Sequence, residues 1–295
     1  MKNVAIHRLE NELLSVGIKS IGAELCSIVN KLNGKEYIWQ GDPAFWASHA
    51  PVLFPIIGAL KNDTYFFEGK EYHLPKHGFF RNNEAVTLKR QAKDHLTFSL
   101  KYSEDTLTNY PFKFEMEISF TLKEKTLEVK HTVFNLDDKP IYFSIGGHPA
   151  FNAPIFPGET YEDYYLEFDQ DMELQSATLS EGGLISSVSK SVLENENKIH
   201  LKKDLFKNDA LIFQDIPSKE VSLNSKNSGR ILTVNYTDFK NLGIWAKPNA
   251  PYVCIEPWLG IADLENTDQD LKNKKGINKL MPTQIFSATN SIKIA

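Results

Sequence analysis

The chain has 295 residues, 41% of them hydrophobic and 24% charged, which is ordinary globular composition and argues against a disordered chain. Lys plus Arg is 33 against 38 for Asp plus Glu, a net charge of −5, so the basic face that phosphate tracking requires is missing and a nucleic-acid binder is disfavoured. The two cysteines, Cys26 and Cys254, make no disulfide framework and sit in no metal-binding spacing.

The first twenty residues mix charges through their apolar positions and contain no signal-peptide core. The longest apolar run, 50–60, is about half a membrane span and carries Pro51 and Pro55. The expectation is a cytoplasmic protein that avoids membranes. In chain order, the first turn signal is Asn33-Gly34 between apolar segments 28–32 and 36–39, read as a two-residue hairpin with positive φ at both central positions. A short helical turn is expected near 43–48. Glu68-Gly69 gives a weaker version of the hairpin signal between 65–67 and 72–74.

Leu96, Phe98, Leu100 and Tyr102 alternate with polar residues, and the pattern is strongest at Phe112, Phe114, Met116, Ile118, Phe120 and Leu122. A two-residue period would wind these side chains right round a helix, so the segment is a half-buried strand. After the polar turn 123–126, Leu127, Val129 and Val133 read as its antiparallel partner, with His131 on the same face. Ile141, Phe143 and Ile145 continue the pattern. Segments 221–223 and 231–236 form a further hairpin across Asn227-Ser228-Gly229, and 261–272 reads as a polar, exposed loop with some helical turn. No stretch of a dozen residues has helical periodicity, and no composition shift marks a linker. The sequence predicts one continuous all-β domain over 1–295, built as an antiparallel β-sandwich.

Three clusters carry candidate chemistry. His77 and Arg81, in Lys76-His77-Gly78-Phe79-Phe80-Arg81, suit sugar hydroxyls or a phosphate, because a guanidinium presents several donors in a fixed fork; the plainer reading is a solvated turn. His148, in Gly146-Gly147-His148-Pro149, follows a strand and is held by restricted backbone; the alternative is a histidine that caps a tight turn. Glu256, in Cys254-Ile255-Glu256-Pro257-Trp258, ends an apolar strand where desolvation would raise its pKa toward that of a working base; the alternative is an edge-strand glutamate that blocks aggregation. His73 and His77 have the spacing of a helical zinc pair, but Pro75 and the surrounding strands exclude that helix. No phosphate loop or dinucleotide fingerprint is present, and no cofactor or metal is expected.

Taken in order, five segments resemble the aldose 1-epimerases of the galactose mutarotase superfamily, in the branch of LacX-like and hexose-6-phosphate epimerase-like proteins. They are His49-Ala50-Pro51-Val52-Leu53-Phe54-Pro55, Leu74-Pro75-Lys76-His77-Gly78-Phe79-Phe80-Arg81, Tyr110-Pro111-Phe112, Gly146-Gly147-His148-Pro149-Ala150-Phe151-Asn152 and Ile255-Glu256-Pro257-Trp258. The resemblance implies the large mutarotase-like supersandwich and a small-molecule hexose as partner. By this resemblance Glu256 is the general base on the C1 hydroxyl and His148 the general acid on the ring oxygen. It makes His77, Arg81 and Asp209 substrate-binding residues. Ala59 stands where relatives often carry arginine, with Lys61 as the one other cation to compensate, so the expected substrate is a neutral hexose rather than a hexose 6-phosphate. Phe80 replaces a small residue and either narrows the pocket or packs. A non-catalytic sugar-binding protein on the same face is the competing function; a glycosidase is disfavoured because it would need a second opposed carboxylate.

Overall fold

The computed structural model describes residues 4–295. Alternation dictates its main sheet. Phe114, Met116, Ile118, Phe120 and Leu122 of strand Phe114–Lys123 are all buried, while their neighbours in sequence are half-buried or exposed. Each such side chain contributes roughly 1.5–3 kcal/mol of burial. The strand pairs antiparallel with Thr126–Asn135 on one side and His95–Lys101 on the other. His131 lies on the buried face with Leu127, Val129 and Val133, as the pattern predicts. The hairpin Glu220–Ser225 with Gly229–Asn235 also forms where the sequence placed it.

These strands belong to a 15-stranded antiparallel sheet, accompanied by a four-stranded sheet of Ile6–Glu10, Leu14–Lys19, Leu25–Asn30 and Lys35–Glu36 and by two small two-stranded ones. The fold is the all-β antiparallel sandwich the periodicity implied. No helix among the described residues is long and apolar enough to cross a membrane.

Four local points differ from the sequence reading, two of them expectations overturned and two of them elements that went unread. Asn30 pairs with Lys35, so the Asn33-Gly34 connection is a four-residue loop in which Gly34, not Asn33, takes positive φ (69°). Asn33 serves instead as an acceptor, its Oδ1 taking the Lys35 N–H at 3.0 Å. The two-residue turn with both residues at positive φ occurs at Glu68 (51°) and Gly69 (75°), between Thr64–Phe67 and Lys70–His73. One short helix, Glu104–Asn109, was invisible to a search for long periodicity; a capping box between Ser103 and Thr106 starts it. The two longest strands, Tyr164–Leu179 and Ile185–His200, went unread because register shifts interrupt their alternation and the outer strand is largely exposed.

The segment 261–272 is the fourth point, an expectation corrected. Ile261, Ala262, Asp263 and Leu271 are buried rather than exposed. Their polarity is accommodated by pairing: Lys274 Nζ lies 2.8 Å from Asp263 Oδ1, both side chains at most 3% exposed. Asp263 Oδ2 accepts the Lys61 N–H at 3.0 Å, and the Asp263 N–H donates to Ala59 O at 2.9 Å. This ion pair therefore fastens the loop to the segment beginning at Gly58. Lys274→Met should leave a buried carboxylate uncompensated and cost about 3–5 kcal/mol in denaturant unfolding. Adding Asp263→Asn should recover most of that loss; a single variant as stable as the parent would show that the pair does not anchor the loop.

Candidate active site

Strand Tyr252–Leu259 lies inside the large sheet and carries Glu256, which is 1% exposed. One neighbour is Asn241–Trp245, with Gly243 opposite Glu256. The other edge is shared by two short strands, Ile145–Gly147 and Ala150–Asn152. Gly146 pairs with Trp258 and Ala150 with Cys254, so the same antiparallel register runs through both and His148 falls opposite Glu256. Glu256 is thus a central-strand residue, and the edge-strand reading is excluded. Gly146 is required by close packing: a Cβ there would sit 2.6 Å from Pro257 O. The His148 N–H donates to Pro51 O at 3.0 Å and Pro149 O accepts the Ile255 N–H at 3.1 Å, which fixes the connecting residues on both sides.

Nε2 of His148 lies 3.2 Å from Oε2 of Glu256. The contact is not aligned as a hydrogen bond, and that oxygen has no other partner among the described residues. Trp46 packs on the imidazole at 4.8 Å between centroids and 31°, while Trp245 and His77 meet it nearly edge-on, both at 5.8 Å. Burial pushes His148 down to about 3 and raises Glu256 well above the usual carboxyl range, with Lys76 opposing that rise and Asp209 adding to it. Both shifts favour uncharged forms. For the pair this shifts the balance toward a neutral imidazole beside a protonated carboxyl.

His77 is set by its own backbone. It takes φ 68° and is followed by Gly78 at 73°, where a Cβ would lie 2.2 Å from Phe54 O. The Gly58 N–H donates to Nδ1 of His77 at 3.1 Å, and burial lowers its pKa well below the usual value. The ring is neutral and carries its proton on Nε2, so it enters the site as a donor.

A cavity of ≈ 600 Å³ contains all five sequence-selected residues: His77, Arg81, His148, Asp209 and Glu256. Burial lowers Arg81 somewhat, and the exposed Asp209 accepts the Ala210 N–H at 2.8 Å. Two cations escaped the sequence reading. Lys76 and Lys207 line the cavity, whereas Lys61 donates to Glu265 O at 2.9 Å and does not line it. Lys76 stood beside His77 in a motif already singled out, so adjacency could have found it; Lys207 shares a loop with Asp209. Trp46, Trp245 and Trp258 also line the wall; Trp258 Nε1 makes no aligned hydrogen bond among the described residues, but its N–H opposes the rise in the Glu256 pKa. Phe80 is fully buried in the core, so it packs rather than narrowing the cavity.

The spacing of Cys254 gave no hint of ligation, yet Cys254, His148 and Glu256 each place one donor atom within 4.8 Å of the others. A soft divalent ion is the kind these donors could hold. It would have to displace the proton of Glu256 and that of the Cys254 thiol, which burial holds well above its usual value.

The aldose 1-epimerase family model matches residues 6–263. The chain is 36% identical over 298 residues to the plasmid-encoded protein LacX of Lactococcus lactis subsp. lactis, with 97% of this chain and 98% of the relative covered. A galactose mutarotase related enzyme from Lactobacillus acidophilus superposes with TM-score 0.94 at 38% identity, covering 99% of this chain and 97% of the other. A galactose mutarotase-like protein from Lactobacillus casei gives TM-score 0.92 at 28% identity, covering 99% and 100%.

The protonated, buried Glu256 has a consequence for stability. Its pKa is raised in the folded state, so the folded chain retains a proton that the unfolded chain releases above about 4.5. Its contribution is favourable at low pH and declines as pH rises toward the folded value. Glu256→Gln removes the titration, so its melting temperature should exceed the parent's at neutral pH and the gap should close in acid. A variant less stable than the parent at neutral pH would contradict this account.

Proposed function

The chain belongs to the aldose 1-epimerase family, and on that premise we propose that it is a mutarotase, interconverting the α and β anomers of a hexose. The reading rests on one observation above all: a buried imidazole and a buried carboxyl, 3.2 Å apart, at a pocket of ≈ 600 Å³ with ample room for a hexose.

Anomer exchange needs one proton removed from the C1 hydroxyl and one delivered to the ring oxygen. As the sugar enters, its hydroxyls donate to Glu256 and replace the solvation that burial removed, with Lys76 adding positive potential. The carboxyl ionises and its proton passes to Nε2 of His148. Glu256 then takes the C1 hydroxyl proton while His148 protonates the ring oxygen; the C1–O5 bond breaks and C1 becomes the aldehyde carbonyl. Rotation about C1–C2 presents the other face. Closure runs the same transfers in reverse, so the pair ends with the single proton it began with. Neutral His77 donates from Nε2, and Arg81 and Asp209 address the outer hydroxyls. A binding protein would gain nothing from burying an acid and a base side by side, which disfavours the non-catalytic alternative.

The sequence favoured a neutral sugar because the net charge is −5 and Ala59 stands where relatives often carry arginine, with Lys61 as the one other cation found. Lys76, Arg81 and Lys207 all line the pocket, and this observation supports a second reading in which the sugar is a hexose 6-phosphate.

Polarimetry on freshly dissolved α-glucose and α-galactose tests the activity. Glu256→Gln and His148→Asn should each lower kcat by about 10²–10⁴ while KM changes little, since each removes proton transfer rather than contact. Near-normal turnover in either variant would remove that residue from the mechanism. Arg81→Ala should raise KM instead. Comparing glucose with glucose 6-phosphate at low and high salt separates the two substrate readings: a neutral sugar gives rates indifferent to salt, and a phosphorylated one gives higher efficiency that salt erodes. The pH profile should fall on the acid side near 3, where the pair takes a second proton, and on the alkaline side where it loses its only one.

A further inference from the structure

His148 touches a second cavity, of ≈ 30 Å³, between the two larger sheets. Three polar side chains line it: His148, His131 and Asn290; the rest of its wall is apolar or glycine. Each of the three is at least nine-tenths buried and each has a polar atom with no aligned partner, namely Nδ1 of His148, both ring nitrogens of His131 and Oδ1 of Asn290; the backbone groups near the two rings, that of Ala288 beside His131 and that of His148 itself, are not aligned as hydrogen bonds. These are four of the eight buried side-chain polar atoms without a partner among the described residues, and all four belong to residues that line this one small space. His131 and Asn290 are diagonal neighbours on strands Thr126–Asn135 and Ile285–Ile294, where His131 pairs with Ala288 and Val129 with Asn290.

Apolar cavities stay dry, but a polar one holds an ordered water when it offers about 10–15 Å³ and two to four hydrogen-bonding partners. This one meets both conditions. We propose that the cavity binds an ordered water, and that His131 and Asn290, acting through it, are positioning residues that set the tautomer of His148. The water accepts from Nδ1–H of His148 and donates to Oδ1 of Asn290 and to one ring nitrogen of neutral His131. The proton of neutral His148 then resides on Nδ1, and its Nε2 lone pair faces Glu256. Only that tautomer can take the proton from the carboxyl. When the imidazolium forms, Nδ1–H is already bonded, and nothing has to rotate. The role in turnover rests on the mutarotase reading; the tautomer does not.

The test is ¹⁵N-histidine NMR of the full chain, with the His148 signals identified by their loss in His148→Asn. The parent at neutral pH should show His148 protonated at Nδ1. His131→Leu should shift His148 toward the Nε2–H form and lower kcat roughly 10–100-fold, in the range seen when groups that orient a functional histidine are removed, with KM nearly unchanged. His131→Gln, which can still reach the water, should restore the tautomer and most of the rate. An Nε2–H tautomer in the parent overturns the proposal without any variant, as does His131→Leu with His148 unaltered. If His131→Leu does not fold, Asn290→Leu reads the same shift. If no hexose is turned over while the NMR result holds, the mutarotase reading falls and the positioning of His148 stands.

Discussion

The rest of this molecule is arranged around a carboxyl group kept out of water on an interior strand. Glu256 sits with strands on both sides, and the register of one neighbour delivers His148 directly opposite. Placing an ionisable group there is unfavourable in isolation, because burial penalises its charge. The structure does not relieve this with an arginine or lysine in direct contact. It leaves the carboxyl protonated and gives it a neutral imidazole as neighbour. Burial makes a permanent ion pair here costly, and the neutral pair avoids that cost. On the mutarotase reading, the shared single proton is the working state.

Holding that state requires rigid surroundings, because an imidazole free to swing would reach water and titrate normally. The restraints come from several directions and from distant parts of the chain. Pro51 holds the His148 backbone, Trp46 covers the ring face, and His77 abuts its edge. His77 is itself fixed by reciprocal bonds to Gly58, whose segment is fastened by the buried Asp263–Lys274 pair. The chain from Lys274 to His148 is thus one continuous set of contacts. A buried ion pair far from the chemistry acts on the site through position alone.

How much of this was legible in the sequence varies with the physics involved. Strands such as Phe114–Lys123 announce themselves because one face is buried and alternation is unbroken. Tyr164–Leu179 does not, because its bulges shift the period and its outer partner faces solvent. Asn33-Gly34 and Glu68-Gly69 show the same limit in turns: residue preference names where the chain reverses, while strand register decides how many residues the reversal takes. The five site residues were readable from local motifs and family resemblance, and the pocket gathers them. Asp263 with Lys274, and His131 with Asn290, were not. Polar residues gain meaning when a partner is buried beside them, and pairing between remote positions leaves no local trace in the sequence.

The site divides along the same line as the fold. Its floor, Glu256 with His148, is built on paired strands and their two-residue connection, where register permits little movement. Its charged wall is built from loops: Lys76 and Arg81 flank one turn, while Lys207 and Asp209 share another. Loops tolerate substitution far better than interior strands, so recognition of the outer sugar groups can change while proton transfer is preserved. Ala59 fits this division. It is buried beside Gly183 and bonded through its backbone to Asp263, so its small side chain serves packing and the floor is untouched by it. Positive charge enters from Lys76 and Lys207 instead, which on the mutarotase reading would address whatever the sugar carries far from C1. On the mutarotase reading, the reaction is therefore a property of the sheet, and the choice of sugar a property of the loops.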